Sequence, residues 1–100
     1  MEFIKSAELK QRKGEFLVLD IRDGISFSKG HVERSINIDV YDDIHQGNYD
    51  AVRQKLEKLP KGKTIITVCN AGVTAQPASL ILESMGYKTK VLENGMMGWD

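Results

Sequence analysis

Residues 64–77 read Thr64-Ile65-Ile66-Thr67-Val68-Cys69-Asn70-Ala71-Gly72-Val73-Thr74-Ala75-Gln76-Pro77. Thr64 to Val68 is a β-branched, largely apolar run, which is what a central strand of a parallel sheet requires. The run stops at Cys69, a glycine follows three residues later, and a helix is expected from about Ala75. Pro77 then falls in the first turn, where a missing N–H costs little. Strand, cysteine, glycine-containing loop and helix start place a sulfur atom over backbone N–H groups. Those groups and the helix dipole both favour negative charge. The pattern fits a site that makes and holds a thiolate.

The rest of the chain alternates strand-like and helix-like segments, the mark of an α/β fold with a parallel sheet. Phe3-Ile4 is a short first strand. Ser6 is expected to cap a helix running to about Lys13, with Gly14 as the stop. Phe16-Leu17-Val18-Leu19 is a continuous apolar strand. A helical turn covers Ile25–Lys29, and Ser35–Ile38 is another short strand. Tyr41–Tyr49 is acidic and polar and reads mostly as loop, with Asp42-Asp43 solvated. Asn48 or Asp50 then caps a helix whose apolar face is Val52, Leu56 and Leu59, ended by Pro60 and Gly62. After the helix at Ala75–Met85, with Ala78, Ile81, Leu82 and Met85 facing the core, Gly86 ends the element. Tyr87–Leu92 is the last strand, and Gly95–Gly98 is a tight, flexible tail ending at Trp99.

The composition excludes several classes of function. The chain has 100 residues, enough for a single domain with its own core. Its hydrophobic share is 41% and its charged share 28%. Fourteen basic and fourteen acidic residues give a formal net charge of zero, mixed along the chain. That offers no basic surface for nucleic acid or an anionic membrane. No apolar run approaches the roughly 20 residues of a membrane span, and residues 1–5 carry no signal-peptide pattern. The single cysteine cannot close an internal disulfide. This fits a reducing, cytoplasmic setting and leaves a free thiol to be explained.

Two readings of Cys69 are open on residue type alone. Free cysteine is among the most buried residue types, so it can simply end a core strand. Alternatively it is a nucleophile at the carboxyl end of a parallel strand, where α/β sheets bind ligands. Residues 70–74 carry no Lys, Arg or His. Any activation must then come mainly from backbone dipoles, and Gly72 lets the loop fold so that its N–H groups point inward. His31 and His45 make no Cys/His cluster, so no metal and no cofactor is expected. Asp20-Ile21-Arg22 reads as an ion pair fixing a loop. Gly95-Met96-Met97-Gly98-Trp99 reads as cover for the core, with the lining of a pocket as the alternative.

Three separated pieces, in order, resemble a single-domain rhodanese of the sulfurtransferase family. Val18-Leu19-Asp20-Ile21-Arg22, followed by Phe27-Ser28-Lys29-Gly30-His31-Val32 and Ser35-Ile36-Asn37-Ile38, is similar to that family's D-x-R and F-x-x-G-H-I-x-G-A-x-N-I signature. Residues 65–75 resemble its active-site loop, with the cysteine first and glycine fourth. Val91-Leu92-Glu93-Asn94-Gly95-Met96-Met97-Gly98-Trp99 resembles its closing L-x-G-G-x-x-x-W.

The resemblance implies a rhodanese-like α/β fold over residues 1–100, with about five mainly parallel strands and helices on both faces. It implies that Cys69 is the nucleophile, cycling between thiolate and persulfide. Asn70, Ala71, Gly72, Val73 and Thr74 would form the cradle, with Asp20 and Arg22 supporting it. The partners would be a small sulfane-sulfur donor (thiosulfate or a persulfide) and a thiol or cyanide acceptor, with a sulfur-accepting protein as a further candidate. The alternative within the family is a sulfur-carrier or protein-binding module with little turnover. Many members have arginine where this chain has Thr74, and often a basic residue at Asn70. An uncharged loop attracts a dianion such as thiosulfate less strongly, which favours a different persulfide as donor. Asn94 stands in place of a glycine, Ser26 in place of an acidic residue, and Asp100 follows directly on Trp99. A phosphatase of related fold is set aside, because none of the four arginines (Arg12, Arg22, Arg34, Arg53) lies in the loop and residues 69–74 are one short of the phosphatase cradle.

Overall fold

The computed structural model describes residues 1–12 and 14–99. Five strands form one parallel sheet: β1 (Glu2–Ile4), β2 (Phe16–Asp20), β3 (Ile36–Asn37), β4 (Thr64–Val68) and β5 (Thr89–Leu92). Their spatial order is β1-β5-β4-β2-β3. The central pair runs in register from Phe16 opposite Thr64 to Asp20 opposite Val68. Helices α1 (Ser6–Gln11), α2 (Gly24–Lys29), α3 (Tyr41–His45), α4 (Tyr49–Leu56) and α5 (Ala75–Ser84) connect them, and a 3₁₀ turn spans Gly95–Gly98.

Strand alternation sorts the core into two layers. Leu19, Ile65, Cys69 and Val91 pack with Val40, Ile44, Val52 and Leu56 and with the α5 residues Ala75, Ala78, Ile81 and Leu82. Val18, Ile66, Val68 and Leu92 project to the other face and pack with Ile4, Leu9 and Val32, joined by Phe16, Met96 and Trp99. The chain leaves β2 toward β3 on one side and leaves β4 toward β5 on the other. The carboxyl ends of β2 and β4 therefore flank the switch point of the sheet, where such folds place ligands.

Four local expectations differ from the structure. Tyr41–His45 is helical, with Ile44 N–H donating to Val40 O at 3.0 Å. Val40 and Ile44, one turn apart, are both in the core. Asp42 and Asp43 sit in the first turn, where the helix dipole favours them, and Asp43 pairs with Lys55 of α4 at 2.6 Å. Two apolar contacts in a five-residue helix are too few to make a periodic signal. The cap of α1 is Lys5, not Ser6, and the Ser6 hydroxyl donates instead to Gly98 O at 3.3 Å. Asn48 does occupy the α4 cap position, but its side chain donates to Gln46 Oε1 rather than capping. Gly95–Gly98 is a 3₁₀ turn, tight as expected but bonded to the Cys69 segment rather than a flexible tail. The readings at Lys13 and Asp100 fall outside the described residues.

Candidate functional site

Cys69 follows directly on β4 and is only 2% exposed. Two backbone donors converge on its sulfur: Gly72 N–H at 3.2 Å and Ala75 N–H at 3.3 Å. The second comes from the first residue of α5, so the sulfur lies at the positive end of a ten-residue helix. Gly72 has φ +83°, and a Cβ there would press on Asn94 N at 3.1 Å and Leu92 O at 3.3 Å. The turn that aims its N–H at the sulfur thus needs glycine for both conformation and space. Gln76 fixes the loop from the helix side, its side-chain amide donating to Gly72 O at 2.8 Å.

A clamp closes the loop from the chain's last segment. Met96 N–H donates to Cys69 O at 2.9 Å and Met97 N–H to Asn70 O at 2.8 Å. Gly95, at φ +54°, lies so close that a Cβ would sit 2.3 Å from Cys69 O. Asn70, Ala71 and Val73 are exposed around the sulfur, while Gly72 and Thr74 are buried. Val73 is 68% exposed and Met97 79%, so the rim carries apolar side chains and no cation from the loop itself. Met96 and Trp99 do cover the core, as expected, but Met97, expected to do the same, is exposed.

Asp20 and Arg22 are buried and joined to each other. Arg22 Nε and Nη2 contact the Asp20 carboxylate at 2.8–3.2 Å, and Nη2 also donates to Gly30 O at 2.8 Å. The pair therefore ties the end of β2 to the exit of α2. The connection to the cysteine strand is through backbone: Asp20 lies opposite Val68, and Ile21 N–H donates to Val68 O at 3.0 Å. Asn37 ties this corner further by donating to Asp20 O and Arg22 O.

One side chain at the loop was not foreseen. His45 Nε2 lies 3.1 Å from Thr74 Oγ1, with the imidazole against the Tyr41 ring. The contact spans 29 residues and depends on α3, which the sequence pattern did not reveal. Behind the loop, the buried Thr67 hydroxyl donates to Ala75 O at 3.1 Å and meets Ser79 Oγ at 2.9 Å, so the start of α5 is bonded to β4. Among the described residues no group of three His, Cys, Asp or Glu side chains is placed to hold a metal. No helix among them is long and apolar enough to cross a membrane.

The site therefore combines a buried sulfur at a sheet switch point, two convergent N–H donors, a helix N-terminus and a backbone clamp. It can hold a compact anion on or beyond the sulfur. Known proteins share this fold. A rhodanese-related protein from Thermoplasma volcanium superposes with a TM-score of 0.83 at 24% identity, covering 99% of this chain and 90% of its own. YtwF of Bacillus subtilis, whose name carries a provisional sulfurtransferase assignment, is 26% identical over 100 residues, covering 97% of this chain and 88% of its own length. The thiosulfate sulfurtransferase GlpE of Shewanella oneidensis is 25% identical over 83 residues, covering 82% of this chain and 73% of its own length. The family model for the rhodanese-like domain matches residues 5–100, and the chain belongs to that family.

Proposed function

We propose that this chain is a sulfurtransferase that carries sulfane sulfur on Cys69. The observation that carries the reading is the convergence of Gly72 and Ala75 N–H on the Cys69 sulfur. The sulfurtransferase names of YtwF and GlpE support it. The thiolate attacks the outer sulfur of the donor. With thiosulfate, the S–S bond breaks, sulfite leaves with the electron pair, and Cys69 becomes a persulfide anion. An acceptor then attacks the terminal sulfur. Cyanide leaves as thiocyanate, or a thiolate leaves as a persulfide, and the Cys69 thiolate returns. No proton transfer is needed if the thiolate preexists. The cradle residues 70–74 supply backbone dipoles, with His45 holding Thr74. Asp20 and Arg22 support the neighbouring strand end. The uncharged loop and the exposed Val73 and Met97 favour a donor with less charge than thiosulfate, such as an organic or protein-borne persulfide.

Intact-protein mass spectrometry after incubation with a sulfane donor, then with cyanide, tests this. The expected result is a gain of one sulfur atom, mapping to Cys69 and removed by cyanide. Oxidation to a sulfinic acid has nearly the same mass but does not reverse. Cys69→Ser should take up no sulfur while remaining folded. Sulfur uptake by that variant, or no uptake by the parent from either thiosulfate or polysulfide, refutes the reading. Thiocyanate produced well beyond one equivalent per chain identifies an enzyme; a single equivalent identifies a carrier with little turnover.

A further inference from the structure

We propose that the cavity beneath α1 is a second binding site, for a small organic anion with an apolar body. The cavity has a volume of about 590 Å³ and contains none of residues 69–74. That volume falls within the roughly 300–1,000 Å³ range of small-molecule sites. Its floor belongs to the sheet layer opposite the Cys69 cluster: Leu9, Val18 and Val32 are core residues there, and Phe16 and Trp99 pack against them.

The charge around this apolar floor is what selects the ligand. Lys10, Arg12, Arg34 and Lys63 line the cavity together with one acidic residue, Glu33. Lys10 Nζ lies 4.7 Å from the Trp99 ring centroid and Arg12 lies 4.6 Å from that of Phe16, so two cationic heads sit over the aromatic floor. Arg12 is already committed to Glu8 and Glu15. Lys63 spends one of its donors on Gly14 O at 2.7 Å and has others to offer. Lys10 and Arg34 make no ion pair among the described residues. A carboxylate placed between Lys10, Lys63 and Arg34, with its hydrocarbon body on Phe16 and Trp99, satisfies both the charge and the apolar surface. A neutral ligand satisfies only the second, and an inorganic anion only the first.

Trp99 is the chain's sole tryptophan and lines this cavity, so its emission responds to an occupant here; it also borders a depression beside Arg22 and Lys29, and the Arg34/Lys63 variant below separates the two. The parent protein is titrated with decanoate below its micelle concentration, with decanol as the uncharged control, following Trp99 emission and heat of binding. A saturable decanoate response at one equivalent, several-fold tighter than decanol and weakened by salt, is expected. The double variant Arg34→Glu/Lys63→Glu should weaken decanoate by roughly tenfold or more. Unchanged decanol binding in that variant shows that the cavity is intact. No saturable response, equal affinity for decanoate and decanol, or an unchanged decanoate affinity in the double variant overturns the proposal. Binding of a Glu-rich peptide without binding of decanoate also overturns it, in favour of an acidic protein partner.

Discussion

Replacing Gly95 by alanine should both destabilise the protein and disturb Cys69, although the site of substitution is 26 positions away in sequence. A Cβ on Gly95 would stand 2.3 Å from Cys69 O and 2.7 Å from the Asn70 carbonyl carbon and oxygen, where Cβ contacts below 3.0 Å essentially never occur. The atoms met are backbone, so no side chain can swing aside. The 3₁₀ turn must retreat by about 0.7 Å or more, which two hydrogen bonds of 2.8 and 2.9 Å cannot absorb. Their loss costs about 0.5–1.5 kcal/mol each, and alanine at this positive φ adds about 1–2 kcal/mol. The expected destabilisation is about 2–5 kcal/mol, read by urea unfolding with the slope unchanged. Gly47→Ala is the control: φ there is +76° but nothing lies within 4 Å, so only the conformational part remains. Alkylation of Cys69 by iodoacetamide should change in Gly95→Ala and not in Gly47→Ala. If the two variants lose equal stability, or if alkylation of Cys69 is unaltered in Gly95→Ala, the clamp is not what holds the loop.

Three further outcomes are expected. Asp20→Asn leaves the Arg22 guanidinium buried without its carboxylate and should cost about 3–5 kcal/mol, whereas the apolar pair Asp20→Leu/Arg22→Met should cost less; chemical denaturation of the three proteins checks the order. Thr74→Val and His45→Ala should alter the rate of sulfur transfer by similar factors and the double variant by no more than either, because both remove one contact; additive effects in steady-state rates contradict this. Asp23 caps α2, and its carboxyl is held below the ordinary carboxylate value, first by the Ser26 N–H and further by the Ser26 hydroxyl. Its contribution is therefore present above the ordinary value and lost as pH falls through the lowered one. An NMR titration of the Asp23 carboxyl with a midpoint at or above that of an unstructured peptide contradicts this.

The elements that carry a strong local signal were legible. Thr64–Val68 has no other good conformation than strand, and Gly72 and Pro77 bracket a loop and a helix start whose positions follow from their backbone preferences. The same holds for β2, whose run ends in Asp20. What stayed hidden depends on contacts between distant residues. The helix at Tyr41–His45 exists because Val40 and Ile44 reach the core together, and that core is assembled mostly from later residues. Ser6 has the chemistry of a cap, yet its hydroxyl finds Gly98 O across 92 positions. His45 carried no motif, and only the packing of α3 beside the cysteine loop gives it a partner in Thr74. Gly95 was legible as a turn residue, but its approach to Cys69 O could not be read from sequence.

The clamp also has a consequence for the order of events during synthesis. The peptide groups that fix Cys69 O and Asn70 O belong to Met96 and Met97, so the loop cannot take its final shape until those residues have been made. At roughly 5–20 residues per second, the ribosome needs on the order of 1–5 s to cover that interval. Through those seconds the thiol exists on a chain whose loop is not yet clamped. The final geometry at Cys69 thus waits on a segment that lies 26 or more positions later, and a chain interrupted before Gly95 would carry the cysteine without its clamp.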